Sequence, residues 1–209
     1  MFEGLIGQAI VTFARTLTGA HAWWRAPLDA RGKRVYFANH NSHGDFVLLW
    51  SCLQAHERRR TRPVAGADYW NSNALKRFVG GRVFRAVLID RVKREGQDPV
   101  GQMAAALNSG DSLILFPEGT RNQTDARLLP FKSGLFHLGE AVPDAELVPV
   151  WISNLNRVMP KGELIPLPLI CSLQFGAPLT RIAGEDKATF LERARNALLD
   201  LDPDRNHDD

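Results

Sequence analysis

Two cysteines in 209 residues, Cys52 and Cys171, leave too little sulfur for a disulfide framework or a thiolate metal site. They lie far apart inside apolar segments and read as buried thiols in a reducing compartment. A clean apolar run of about 20 residues, as a spanning helix needs, is also missing. The chain opens without a cationic region or a small-residue cleavage site, so no signal peptide is expected. No G-x-S-x-G elbow of an α/β-hydrolase occurs, nor a zinc pattern, nor an aromatic-interleaved RNA motif. A nucleic-acid partner is therefore not expected.

What is present is ordinary for a globular protein: 44% hydrophobic residues, 23% charged residues and a net charge of +3. The length fits one domain with an extensive core. Short apolar runs alternate with helical stretches. Strands are predicted at Arg34 to Ala38, Val64 to Ala67, Ala86 to Ile89, Leu113 to Phe116, Leu147 to Trp151 and Ile170 to Phe175. Helices are predicted from Ser42 to Ala55, Tyr69 to Phe78, Gln97 to Leu107, Leu135 to Glu140 and Lys187 to Leu199. Gly80-Gly81 should break the second of these, and the prolines 160, 166 and 168 make their segment irregular. Such alternation argues for an α/β fold, a single domain with a mostly parallel central sheet flanked by helices. Sites in such sheets gather at the strand C-terminal ends.

Residues 1–24 are expected to form an N-terminal amphipathic helix at a membrane interface. Phe2, Leu5, Ile6, Ala9, Ile10, Phe13 and Leu17 recur at helical spacing, and Trp23-Trp24-Arg25 follows. Packing on the domain core is the other reading of the same stripe. Residues 25–200 then make the main domain, and 201–209 an acidic tail. Between Glu57 and Arg94 stand eleven Lys or Arg against three acids, which fits anionic lipid headgroups or an acidic carrier protein.

Two loops carry the chemistry. Asn39-His40-Asn41-Ser42-His43-Gly44-Asp45 links the first predicted strand to a helix, and Ser42 with Asp45 has capping-box spacing, so the helix should begin at Ser42. A carboxylate beside an imidazole fixes its tautomer and stabilises the imidazolium once a proton arrives, as a general base requires. Taken alone, His40 and Asp45 also fit a capped turn, and His43, on the exposed first turn, is given no role. Phe116-Pro117-Glu118-Gly119-Thr120-Arg121 follows the fourth strand. Pro130-Phe131-Lys132-Ser133-Gly134 then opens a helix, and together they offer amides and cations to an anion.

These stretches resemble the glycerolipid acyltransferase family typified by 1-acyl-sn-glycerol-3-phosphate acyltransferase. The resemblance rests on His40 with Asp45 (H-x4-D), Ile89-Asp90-Arg91, Phe116 to Arg121, and Val148-Pro149-Val150, in the family's order and over residues 33 to 175. It implies a glycerol-3-phosphate acyltransferase-like fold, with His40 as base and Asp45 as its partner. It places Arg91, Glu118, Gly119, Thr120, Arg121 and Lys132 around the acceptor. Arg91, Arg121 and Lys132 would hold a phosphate, and amides near Gly119 or Ser42 would serve the oxyanion. The implied reaction moves a fatty acyl chain from acyl-CoA or acyl-carrier protein to a lysophospholipid hydroxyl, most simply 1-acylglycerol-3-phosphate, with no metal and no cofactor. It also implies a peripheral or monotopic enzyme at the cytoplasmic face of a membrane.

Three alternatives stand beside it. One is another acceptor, such as a lyso-ornithine lipid. A second is a GDSL-type serine hydrolase, from Gly110-Asp111-Ser112-Leu113 with His207. The third is a non-enzymatic lipid-binding module.

Overall fold

The computed structural model describes residues 2–28, 32–90, 97–153, 171–180 and 182–205. Helix α1 (Phe2–Thr18) leads into strand β1 (His21–Trp24). The helix expected through residue 24 therefore stops earlier, because residues 21–24 are claimed by parallel pairing with a strand far along the chain. Then come β2 (Arg34–Ala38), α2 (Asp45–Cys52), α3 (Ala55–Arg60), β3 (Thr61–Gly66), α4 (Ala67–Trp70) and α5 (Ala74–Phe78). A π-helical turn (Val79–Val83), β4 (Val87–Ile89), α6 (Pro99–Asn108), β5 (Ser112–Leu115) and α7 (Gly134–Ala141) follow. Last are β6 (Glu146–Ser153), β7 (Ser172–Phe175) and α8 (Lys187–Leu199). The segment holding prolines 160, 166 and 168 lies outside the described residues.

The seven strands form one sheet in the order β1-β7-β6-β2-β5-β3-β4. Every pair is parallel except β6 with β7. Central strands of such a sheet are covered on both faces and so carry unbroken apolar runs. In β2, alternate side chains divide between two cores. Val35 and Phe37 join Met103, Leu107, Leu135, Leu138, Phe190 and Leu198 from α6, α7 and α8. Tyr36 and Ala38 join Val11, Leu48 and Leu49 from α1 and α2. Burying each such side chain contributes about 1.5–3 kcal/mol, so the two layers clamp β2 and fix where its C-terminal end points.

Two expectations change in detail. The helix predicted from Tyr69 to Phe78 is divided into α4 and α5, and Gly80-Gly81 lies inside the π-helical turn. Gly80 serves packing there, since a Cβ at that position would stand 2.6 Å from the Trp70 ring. Helix α2 begins at Asp45 with Gly44 as its N-cap residue, three positions later than expected. The Ser42 hydroxyl accepts from the Gly44 amide at 3.2 Å, and the backbone turn at 42–44 delays the first helical residue.

Candidate active site

The loop after β2 is held in place by side chains that take over where the strand pairing ends. Asn39 accepts from the Ile152 amide at 2.8 Å and donates to the Ile152 carbonyl at 2.9 Å, bridging to β6. His40 Nδ1 lies 2.9 Å from Asp45 Oδ2. The same oxygen accepts from the amides of Asn41 at 2.7 Å and Ser42 at 2.8 Å. Asp45 is 2% exposed, so its carboxylate is solvated by the protein alone. The imidazole is more open, stacks on Phe116 with centroids 4.2 Å apart, and presents Nε2 without a partner among the described residues.

The loop after β5 locks to the first. Glu118 Oε1 accepts from the His40 amide at 2.8 Å, and Oε2 from the Leu129 amide at 2.9 Å. The His40 carbonyl accepts from the Asn122 amide at 2.6 Å. Glu118 is 2% exposed, and burial raises its pKa while the two amides pull the other way. Both carboxylate oxygens are thus bonded to backbone, and Glu118 does not line the cavity between the loops. Gly119 closes a turn through its amide to the Phe116 carbonyl at φ +69°, a left-handed conformation that a side chain disfavours.

A cavity of about 390 Å³ opens between the two loops. His40, Gly119, Thr120 and Arg121 line it. Its apolar walls are Phe46, Val64, Ala65, Trp70, Ile89, Leu115 and Phe116, and polar groups from His43, Asp68, Tyr69, Ser72 and Lys76 complete it. An apolar chamber with a few convergent polar groups is the usual form of a small-molecule site.

The acyltransferase family model matches residues 25–153. The chain belongs to the acyltransferase family. It is 31% identical over 159 residues to the 1-acyl-sn-glycerol-3-phosphate acyltransferase of Haemophilus influenzae, across 68% of this chain and 60% of that one. It is 26% identical over 153 residues to the enzyme of the same name from Cocos nucifera, across 70% of this chain and 46% of that one. The chain thus spans about half to three fifths of the length of these relatives. The crystal structure of the 1-acyl-sn-glycerophosphate acyltransferase PlsC from Thermotoga maritima shares the fold, with a TM-score of 0.70 at 19% identity. That match covers 94% of this chain and 78% of the other.

Other expected site residues of this acyltransferase do not line the cavity or lie outside the described residues. Lys132 is exposed and lies against Gly119, its Cδ, Cε and Nζ occupying the space a Cβ there would take; it does not line the cavity. Arg91 lies outside the described residues. Of the amides near the two expected oxyanion positions, Asn41 and Ser42 donate to Asp45, Gly44 to the Ser42 hydroxyl and Gly119 to Phe116, whereas those of Thr120 and Arg121 beside Gly119 have no protein acceptor among the described residues. Ser112, the nucleophile of the hydrolase reading, is fully buried at the start of β5, its hydroxyl accepting from the Arg34 amide at 3.0 Å. It sits at the sheet end away from the cavity, which removes that reading; His207 lies outside the described residues.

Sequence reasoning missed His43, Tyr69 and Lys76. The His43 ring stacks on Tyr69 at 5.4 Å, and the Lys76 ammonium lies 4.0 Å from the centre of the Tyr69 ring. Burial, then Arg121 and His40, lower the pKa of His43, against a smaller pull from Asp45.

Proposed function

We propose that the protein transfers a fatty acyl chain from a thioester donor to the free hydroxyl of 1-acylglycerol-3-phosphate, giving phosphatidic acid. The observation that carries this reading is His40, tied by Nδ1 to buried Asp45, its Nε2 without a partner among the described residues, lining a cavity that Phe116 and Arg121 also line. In this mechanism the hydroxyl oxygen attacks the thioester carbon as Nε2 takes its proton. The imidazolium is stabilised by Asp45. Collapse of the tetrahedral intermediate expels the thiolate, and the proton on Nε2 returns to sulfur, so no protein nucleophile is consumed. The amides of Thr120 and Arg121, on the cavity wall and without a protein acceptor among the described residues, are assigned to the oxyanion. Arg121 is assigned to the acceptor phosphate, for which a guanidinium offers two parallel hydrogen bonds.

The surface supports a bilayer as the source of the acceptor. Helix α1 packs on the domain through Gly7, Val11 and Ala14 while leaving Phe2 69%, Leu5 67% and Phe13 69% exposed. Arg82 lies 3.7 Å from Glu3, which ties α1 to the π-helical turn, and Leu75 on α5 is 73% exposed with Arg77 close by. Among the described residues no helix is long and apolar enough to cross a membrane. We assign this apolar and basic face to the surface of a membrane with anionic lipids, on its cytoplasmic side.

The test is an assay of purified protein with lysophosphatidic acid in mixed micelles, offering acyl-CoA and acyl-carrier protein in turn, with phosphatidic acid measured by mass spectrometry. Turnover that His40→Ala abolishes is the expected result. Turnover on a lyso-ornithine lipid alone would move the reading to that acceptor. Liposome binding with no acyl transfer from either donor would overturn it in favour of a lipid-binding module.

A further inference from the structure

Arg121 is the cation on the cavity wall that the motifs announce, but the cavity holds a second. Lys76 enters from α5, outside the four motif stretches, and lines the same chamber as His40 and Arg121. Its backbone is set by a cap, since Asn73 Oδ1 accepts from the Lys76 amide at 2.8 Å. Its ammonium is set by the Tyr69 ring at 4.0 Å, a cation–π contact. Tyr69 in turn stands against Trp70 edge-on at 5.4 Å and against His43 face-on at 5.4 Å. Lys76 is therefore held at the cavity by two neighbours and is not a freely swinging surface side chain. Among the described residues that line the chamber, the acidic one is Asp68, on α4.

We propose that Lys76, steadied by Tyr69, pairs with Arg121 to seat the phosphomonoester of the acceptor, and so sets the preference for a dianionic acceptor over a neutral or zwitterionic one. A dianion wants two cations from different directions, and α5 and the loop after β5 supply them from separate elements. His43, stacked on Tyr69, lines the same chamber, and burial first, then Arg121 and His40 and least Lys76, lower its pKa against a pull from Asp45. Lys132, the lysine the motif pattern selects, lines no part of the chamber. This inference rests on the proposed reaction and goes beyond it by assigning the second half of the phosphate seat.

A phosphomonoester also occurs on a coenzyme A donor, and the experiment separates the two sources. Michaelis constants are measured in neutral-detergent micelles for lysophosphatidic acid and for the donor separately, using wild type, Lys76→Gln, Lys76→Arg, Tyr69→Phe and Tyr69→Leu. Lys187→Gln on α8 controls for the loss of one exposed positive charge. For Lys76→Gln, KM for lysophosphatidic acid is expected to rise about 10- to 100-fold with donor KM within twofold, the loss of one charge-assisted hydrogen bond. Lys76→Arg and Tyr69→Phe should keep most of the affinity, and Tyr69→Leu should lose it in the same sense as Lys76→Gln. A rise below threefold, or an equal rise for the donor, overturns the inference while wild-type turnover leaves the proposed function standing. Absence of wild-type turnover with either donor would strike the proposed function itself.

Discussion

Strand β2 carries charge at both ends, finished in opposite ways. At its start, Arg34, with a 1% exposed side chain, donates through Nη1 to Glu57 at 2.7 Å and through Nε to Glu146 at 2.6 Å. Arg60 adds a second contact to Glu57 at 2.5 Å, and the Tyr36 hydroxyl donates to Glu57 at 3.3 Å. At its end, Asp45 is as deeply buried and as fully bonded, but the imidazole it holds has one nitrogen left over and faces a cavity. Burial and pairing are thus common to both ends, and what distinguishes the end proposed as reactive is a ring nitrogen with no hydrogen-bond partner among the described residues, beside a cavity. A buried ion pair by itself is weak grounds for a functional site.

The largest expected effect breaks the reactive end. His40→Ala should lower kcat by about 100- to 10,000-fold with little change in melting temperature, measured by product formation and calorimetry. Asp45→Asn should cost a similar factor, because an amide cannot both fix the imidazole tautomer and accept from two backbone amides. Breaking the other end should reverse the pattern. Arg34→Met leaves buried carboxylate behind and should lower unfolding free energy by about 3–5 kcal/mol in denaturant titration, with kcat per folded molecule unchanged.

Smaller effects sharpen the contrast. Glu118→Gln spoils one of two backbone contacts and should cost about 1–3 kcal/mol of stability, with kcat reduced and acceptor KM unchanged, as befits a positioning residue. Its pH dependence has a defined sign. A carboxyl whose folded pKa is raised binds its proton more tightly in the folded state, so its stabilising contribution is present at low pH and lost as pH rises through the folded value. The stability gap between wild type and Glu118→Gln should therefore widen as pH falls toward the ordinary value of 4.5. The smallest effect concerns the thiols. Burial pushes Cys171 up to about 11, with Cys52 adding to the shift, and raises Cys52 as well. Native protein at pH 8 should take up almost no iodoacetamide within an hour, by intact-mass analysis, and should take up two equivalents when unfolded.

The central strands were legible because β2, β5 and β6 are covered on both faces and so print as unbroken apolar runs, whereas β1 was read as helix because its partner β7 lies far along the chain. Helix α8 was legible for a different reason: Asp186 caps it through the amides of Ala188 and Thr189, a local signal. The segment from Tyr69 to Phe84 was not. Its glycines read as breaks, whereas Gly80 is where the backbone comes close against Trp70, a tertiary fact with no local trace. The same limit divides the site. His40, Asp45, Gly119 and Arg121 sit in contiguous motifs and could be picked from the chain. Tyr69, Lys76 and His43 come together only when α4, α5 and the loop before α2 fold over the cavity. Glu118 lies in a motif too, but its bonds to the His40 and Leu129 amides were not legible, since spacing cannot say whether a carboxylate turns toward solvent or toward backbone amides.

The sheet order has a consequence for how the molecule assembles. β1 pairs with β7, His21 opposite Ser172 and Trp24 opposite Phe175, while the middle of the sheet is built from the stretches in between. During synthesis β1 leaves the ribosome well before β7, so the edge it completes stays open until nearly the whole domain has emerged. Until then α1 can settle on α2 through Val11, Leu48 and Leu49, whereas Trp23 and Trp24 wait for β7 to supply the strand they pair with.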